Sequence, residues 1–515
     1  MIGLGAIRIR SRRSSHVRDL LGLAGLRGPW NADPRGGRLL TVDETGGPIT
    51  VLRITPPDLR NDPPQEPSQK IGRRLSTAVI HRDLASGPPL VFPLHTPEQS
   101  DVGLPRGTEA TRVLVAREGG VLARAHRNQT VPTLVFGFRL SDLATEIFDH
   151  HRFHGAGHLA MVIEWYLDRF AGVPWARVSP WPDGRPPFLL SFDVEAGTPR
   201  RSVGRRFLRI GGVELNRLRL PRPLRGRRLV TGTNMLRDVD GVHQSRRATL
   251  DLRRSKVGCA ASSHEVVQWQ LRRWPGAMPP VQPSHDPDFR SFASKICGPH
   301  TNFYCGGVPT DRFEDEEIGF HGTDHTHFHQ MNASRLEREL TEGRLDTDGA
   351  PCIDVIRAPG LCWSPAYFAA LGPAGWRVDS SFREVNDRQP IVPIRTSAGW
   401  WELPVHGNIM HRETTLPSEE LLADRMINLY SHDHDVDTEE HRDVLERRIA
   451  AIRATGRIPT TIGELGTWLE SARSNELASV RWRDGEATVE GSLIPGTVVE
   501  NRGVKKRPSK SINKE

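Results

Sequence analysis

Cysteine is scarce in this 515-residue chain. The five that occur (Cys259, Cys297, Cys305, Cys352 and Cys362) are odd in number and form no CxxC pair, so they build neither a disulfide framework nor a zinc finger. They read as reduced thiols. Long apolar runs are also missing: nothing approaches the roughly 20 uninterrupted apolar residues of a membrane span. The opening segment MIGLGAIRIRSRRSSHVRDLL places arginines where a signal peptide carries its apolar region, so a cytoplasmic protein is expected. Lysine is the third absence, with only seven among 70 basic residues, four of them in the last eleven positions. The formal charge of +8 therefore comes from arginines dispersed among acids. Such a distribution reads as a solvated surface and argues against nucleic acid as a partner, which would need the basic residues clustered.

What is present is enough apolar material, 37% of residues with 12 Trp and 17 Phe, to bury at least one sizeable core in a chain longer than a typical domain. Residues 1 to about 180 alternate short apolar runs with Gly and Pro, as in GRLLTVDETGGPITVLRI, and then give way to a helical pattern over 142–172. This reads as an appended N-terminal region of mixed α/β character. Its His150, His151, His154 and His158 lack a carboxylate or cysteine at ligand spacing and are expected on a helix surface.

From 186 to about 475 short apolar runs (FLLSF, TNFYC, IDVIRAP, WRVDSSF, MINLYSHDHD) alternate with helical segments, which indicates an α/β fold with a mainly parallel sheet or barrel. Ser364 and Pro365 open one helix that Gly372 closes, and Thr461 with Glu464 forms a capping box. An Arg/Pro-rich stretch at about 200–290 interrupts the pattern as an insertion. Residues 476–515 read as a short β-like segment followed by a disordered basic tail.

Polar clusters sit where the apolar strands end, and in parallel α/β folds the carboxyl ends of strands are where sites are built. Asp193 and Glu195 leave the first strand two residues apart, on one face of an extended backbone. His321 and His325, four apart, share a face if the chain makes a helical turn, as imidazoles do when they converge on one metal. Arg357 follows IDVI, Asp379 follows Trp-Arg-Val, and Ser431-His432-Asp433-His434-Asp435 follows INLY. His327 and His329 add nothing to the spacing of the first pair. Singly, each cluster also has a bland reading as an ion pair, a cap or a polar loop.

Together, FLLSFDVE, EIGFHGTDH, VIRAPG, GWRVDSSF, ELPV and LYSHDHDVD stand in an order that resembles the polysaccharide deacetylase family, the NodB-homology domain of carbohydrate esterase family 4. The resemblance implies an incomplete (β/α) barrel and a divalent metal, most often zinc. It implies Asp193 as catalytic base, with Glu195, His321 and His325 as metal ligands. Arg357 would contact the base and Asp379 would hold the general acid, which is His432, with His434 in reserve. The spacing Asp-Val-Glu departs from the adjacent acids of many members and matches a related branch. The reaction implied is removal of an N-acyl group, an acetyl in the simplest case, from an amino sugar or glycoside. Two alternatives remain open: hydrolysis of a non-sugar amide or ester on the same fold, and a non-catalytic metal- or glycan-binding module.

Overall fold

The computed structural model describes residues 3–194 and 287–503, apart from 31–36, 47, 56–68, 73–75, 81–83, 85–89, 95, 97, 103–109, 117–118, 129–130, 306–308, 310–312, 324–325, 345–352, 384–389, 411–423, 437 and 484–485. Most of the expected insertion and the basic tail thus lie outside the described residues. The chain divides into two compact units, one formed by 1–146, 155–184 and 468–515, the other by 147–154 and 185–467.

In the first unit the alternating apolar runs pair as an eight-stranded sheet running Leu4–Arg10, Arg38–Asp43, Thr50–Thr55, Val131–Phe136, Val121–Asn128, Ala110–Ala116, Ser76–Ile80 and Val91–Leu94. Only the first pair is parallel; short connections favour antiparallel pairing of Arg38–Asp43 with Thr50–Thr55, of Ala110–Ala116 with Val121–Asn128 and of Val121–Asn128 with Val131–Phe136, and the remaining pairs are antiparallel across longer connections. The C-terminal strands belong to this unit. Val499–Arg502 pairs with Trp175–Val178, and the Trp482 indole lies against Gly3, where a Cβ would come within 2.3 Å of the ring.

The helical pattern over 142–172 resolves into two helices, Leu140–Phe148 and Ala156–Trp165, the second running on as a wider turn to Ala171. His151 at φ 56° and Gly155 at φ 86° break the run between them. The expectation of surface histidines holds for His150, which is exposed, and fails for the other three. His151, His154 and His158 are buried and pack on rings: His158 stacks on Phe92 at 4.0 Å, His154 meets Phe382 at 4.8 Å, and His151 lies 5.5 Å from Trp400.

The second unit holds the α/β pattern as a mainly parallel sheet. Its order is Ile394–Arg395, Trp401–Glu402, Val378–Asp379, Val355–Ile356, Glu316–Phe320, His300–Tyr304, Pro187–Val194, Ile427–His432 and Gly407–Asn408, with Ile458–Pro459 also pairing with Pro187–Val194. Within that path only Ile394–Arg395 runs antiparallel to its neighbour. All eight residues of Pro187–Val194 are buried, as expected of a central parallel strand covered on both faces. The helix signals hold: the Ser364 side chain caps Tyr367 N at 3.1 Å with Pro365 in the first turn. Thr461 and Glu464 exchange bonds of 3.0 and 3.2 Å. Among the described residues no helix is long and apolar enough to cross a membrane.

Candidate active site

Parallel strands of one sheet present all their carboxyl ends on one side, so polar residues placed after each apolar run are brought together. Asp193 ends its strand beside two neighbours: His432 is its register partner on Ile427–His432, and the His300–Tyr304 strand flanks the other edge. His321 follows Phe320, and Arg357 follows Ile356, one strand further on.

Asp193 and Arg357 form a buried ion pair, Oδ1 to Nη1 at 2.9 Å, with side chains 3% and 0% exposed. The guanidinium is fixed on every side. Its Nε donates to Ser380 O at 2.9 Å and its Nη2 to Ser380 Oγ at 3.1 Å, while its plane lies 4.2 Å from the Phe303 ring. Asn428 supports the same Ser380 hydroxyl at 3.1 Å. Burial pushes Asp193 toward its neutral form, but the charge of Arg357, then those of His321 and His432, outweigh it and hold the carboxyl below the usual range. Asp193 is therefore an ionised carboxylate with one oxygen engaged by Arg357.

The other oxygen, Oδ2, faces His321 Nε2 at 3.9 Å. His321 Nδ1 lies 2.9 Å from the Arg357 carbonyl, which accepts its proton; in the neutral ring this puts the lone pair on Nε2, directed toward Asp193. A backbone carbonyl on the far nitrogen is the usual support of a metal-ligating histidine, so His321 is set to bind a cation beside the Asp193 carboxylate. This part of the donor set fits a divalent metal. Glu195 and His325, the other two expected ligands, lie outside the described residues. The strand does not lead into the helical turn expected to align His321 with His325. Residues 321–323 are irregular, and Gly322 takes φ 86°.

His432 is half-buried, and its Nδ1 sits 2.9 Å from Asp435 Oδ2, an oxygen that also accepts from Asn408 Nδ2 at 2.9 Å. Burial would raise Asp435, but the hydrogen bond and charge of His432 and the Asn408 bond hold it far below the ordinary range. The carboxylate thus fixes Nδ1 and leaves Nε2 to exchange protons. His434 is more exposed and stacks on His432 with centroids 4.8 Å apart.

Asp379 does not hold His432, and that expectation is corrected. Its carboxylate accepts from Tyr367 Oη at 2.7 Å and Ser381 Oγ at 2.6 Å, and hydrogen-bonds to Glu402. Burial raises Asp379, and burial followed by the Asp379 charge raises Glu402 further. Burial and the facing carboxyl thus hold this pair of register partners toward their neutral forms. Sequence reasoning missed Glu402, although it stands at a strand end in the ELPV segment, and missed Asp435, which lies within the HDHDVD segment.

No family model matches the chain, and no curated protein does. Among solved structures it is similar to a candidate polysaccharide deacetylase from Mycobacterium smegmatis, with 15% identity over 59% of this chain and 96% of that one, at a TM-score of 0.32. A candidate polysaccharide deacetylase involved in O-antigen biosynthesis from Bordetella bronchiseptica is 17% identical over 36% of this chain and 84% of that one, at a TM-score of 0.23. Superpositions this loose carry no argument, and the functional reading rests on the site itself.

Proposed function

We propose that this protein is a metal-dependent hydrolase of the polysaccharide deacetylase type that removes an N-acyl group, acetyl in the simplest case, from an amino sugar or related glycoside. In this reading the parallel sheet is the incomplete (β/α) barrel of that family, carried by 186–475. The observation that carries the reading is the Arg357–Asp193–His321 array, with one carboxylate oxygen held by the arginine and the other turned toward an imidazole nitrogen.

Glu195, His321 and His325 would hold the divalent ion, most suitably zinc, with His321 contributing Nε2. When bound, such an ion acidifies water and polarises the acyl carbonyl. Asp193 then accepts the proton of the attacking water at Oδ2, because Arg357 both keeps the carboxyl ionised and fixes its rotamer through Oδ1. The departing nitrogen leaves poorly unless protonated. His432 supplies that proton from Nε2 while Asp435 retains the hydrogen on Nδ1.

The test is metal content beside acetate release from N-acetylated sugars. Asp193→Asn is expected to keep its metal and lose roughly 10²-fold or more in turnover, the scale of general-base catalysis. Glu195→Ala is expected to lose the metal, since a three-ligand site deprived of one ligand binds far more weakly. The opposite pattern would make Asp193 a ligand and remove it as the base.

A further inference from the structure

A second group of metal-competent side chains stands near the site without sharing a residue with it. His327 lies just before the short turn Phe328–Gln330, which contains His329, and Cys362 follows the turn Pro359–Leu361. One donor atom from each of His327, His329 and Cys362 lies within 4.8 Å of the others. His327 and Cys362 are buried, His329 is partly so, and Cys362 forms no disulfide.

The backbone is shaped to leave room among them. Gly360 and Leu361 take successive positive φ values, 64° and 52°. That conformation is unfavourable for a leucine, so the surrounding structure enforces it. The consequence is that Gly360 lies beside the donors: a Cβ built there would be 3.1 Å from His327 Nε2 and 3.4 Å from Cys362 Sγ. Glycine at 360 keeps open the space between the imidazole and the thiol. Metal–nitrogen bonds of about 2.0–2.1 Å and metal–sulfur bonds of about 2.3 Å at tetrahedral angles put neighbouring donors roughly 3.3–3.6 Å apart. Closing from 4.8 Å requires a shift of about one ångström, which the partly exposed His329 ring can supply by rotation.

We propose that His327, His329 and Cys362 bind a second metal ion, distinct from the one assigned to Glu195, His321 and His325. Two imidazoles and a thiolate select a borderline-soft ion of the zinc class and disfavour magnesium and calcium, which require oxygen ligands. The ion ties the loop that carries His321 to the loop that begins with Arg357, six and five residues from the respective ligands His327 and Cys362. Its role is to brace those two loops, and the fourth coordination position remains for water.

The probe is cobalt(II) loaded into the full chain after chelation, with absorption spectra and elemental analysis read together. The wild-type protein is expected to show a thiolate-to-cobalt charge-transfer band in the near ultraviolet. Cys362→Ser should abolish that band and remove one equivalent of metal, and His327→Ala should weaken cobalt binding by at least tenfold. His321→Ala should leave the band in place, and loss of a sulfur-free equivalent from that variant with the band retained would support two separate sites. Absence of the band in the folded, cobalt-saturated wild-type chain would overturn the proposal, whether or not the variants fold. A band that survives Cys362→Ser would overturn it too, by assigning the sulfur to another cysteine.

Discussion

Both units bury polar side chains, yet they use them differently. In the first unit the Glu44 carboxylate accepts from Thr50 Oγ1 and from Ser141 N, each at 2.9 Å, and so caps the start of the Leu140–Phe148 helix. Tyr166 Oη donates to Pro132 O at 2.8 Å. These groups end on backbone or on a hydroxyl and close the fold. In the second unit Asp193, Arg357, His321 and His432 meet one another, and a carboxylate oxygen is left facing an imidazole. The cause is strand direction. Antiparallel neighbours alternate their ends, which scatters terminal residues to both edges of a sheet. Parallel neighbours deposit them on one edge.

The contrast breaks most visibly at its two hubs. Arg357→Ala strands a buried carboxylate, so chemical denaturation should show a loss of about 3–5 kcal/mol together with loss of hydrolysis. Glu44→Ala removes the acceptor of three donors, Ser11 Oγ, Thr50 Oγ1 and Ser141 N, and should cost about 1–3 kcal/mol, with turnover per folded molecule unchanged. Equal effects on hydrolysis would erase the distinction between a fold hub and a site hub.

A finer comparison lies within the second unit, between its two candidate partners for a catalytic histidine. Asp435→Asn should lower turnover on amides by about tenfold or more and much less on activated esters, whose leaving group needs little protonation. Asp379→Asn should leave the amide-to-ester ratio where it was, because its bonds run to Tyr367, Ser381 and Glu402.

At neutral pH the last effect is silent, for it is a pH dependence that shows in the second unit only on acidification. Burial lowers His151 to about 4 and His406 to about 3 from the ordinary 6.5. A lowered imidazole is neutral when folded and takes up a proton when unfolded. Its contribution is therefore complete above about pH 6.5 and is lost as the pH falls from there toward 3–4, at up to about 1.4 kcal/mol per pH unit for each histidine. His151→Phe, replacing one ring among others, should flatten melting temperature against pH over that window. An unchanged slope would mean that the His151 ring is already protonated in the folded protein.

Strand-end residues were the legible part of the site. The alternation of apolar runs and helices implied a parallel sheet, and that direction alone brings Asp193, Arg357 and His432 together. Side-chain partners were not legible in the same way. Glu402 meets Asp379 across a strand pair 23 residues apart in sequence, a separation set by the length of a loop rather than by any repeat. Asp435 reaches the His432 ring because Asp433–Val436 tightens into a 3-10 turn, which the spacing alone does not reveal. His158 was misplaced because periodicity marks one face of a helix but does not tell whether the other face meets water or a layer of aromatic rings, and His151 and His154 because they stand in the break between two helices that the periodicity ran together. Gly322, next to His321, takes a positive φ that spacing does not encode.

The pairing of the chain's two ends in the first unit has a consequence for its synthesis. Trp482 Nε1 donates to Leu4 O across 478 residues, and the strand Trp175–Val178 finds its partner only in Val499–Arg502. A ribosome releases Leu4–Arg10 long before Trp482 and Val499–Arg502, and the residues of the second unit, which run to 467, emerge in between. Gly3 and Leu4 therefore gain their cover only after the second unit has left the tunnel and is able to fold.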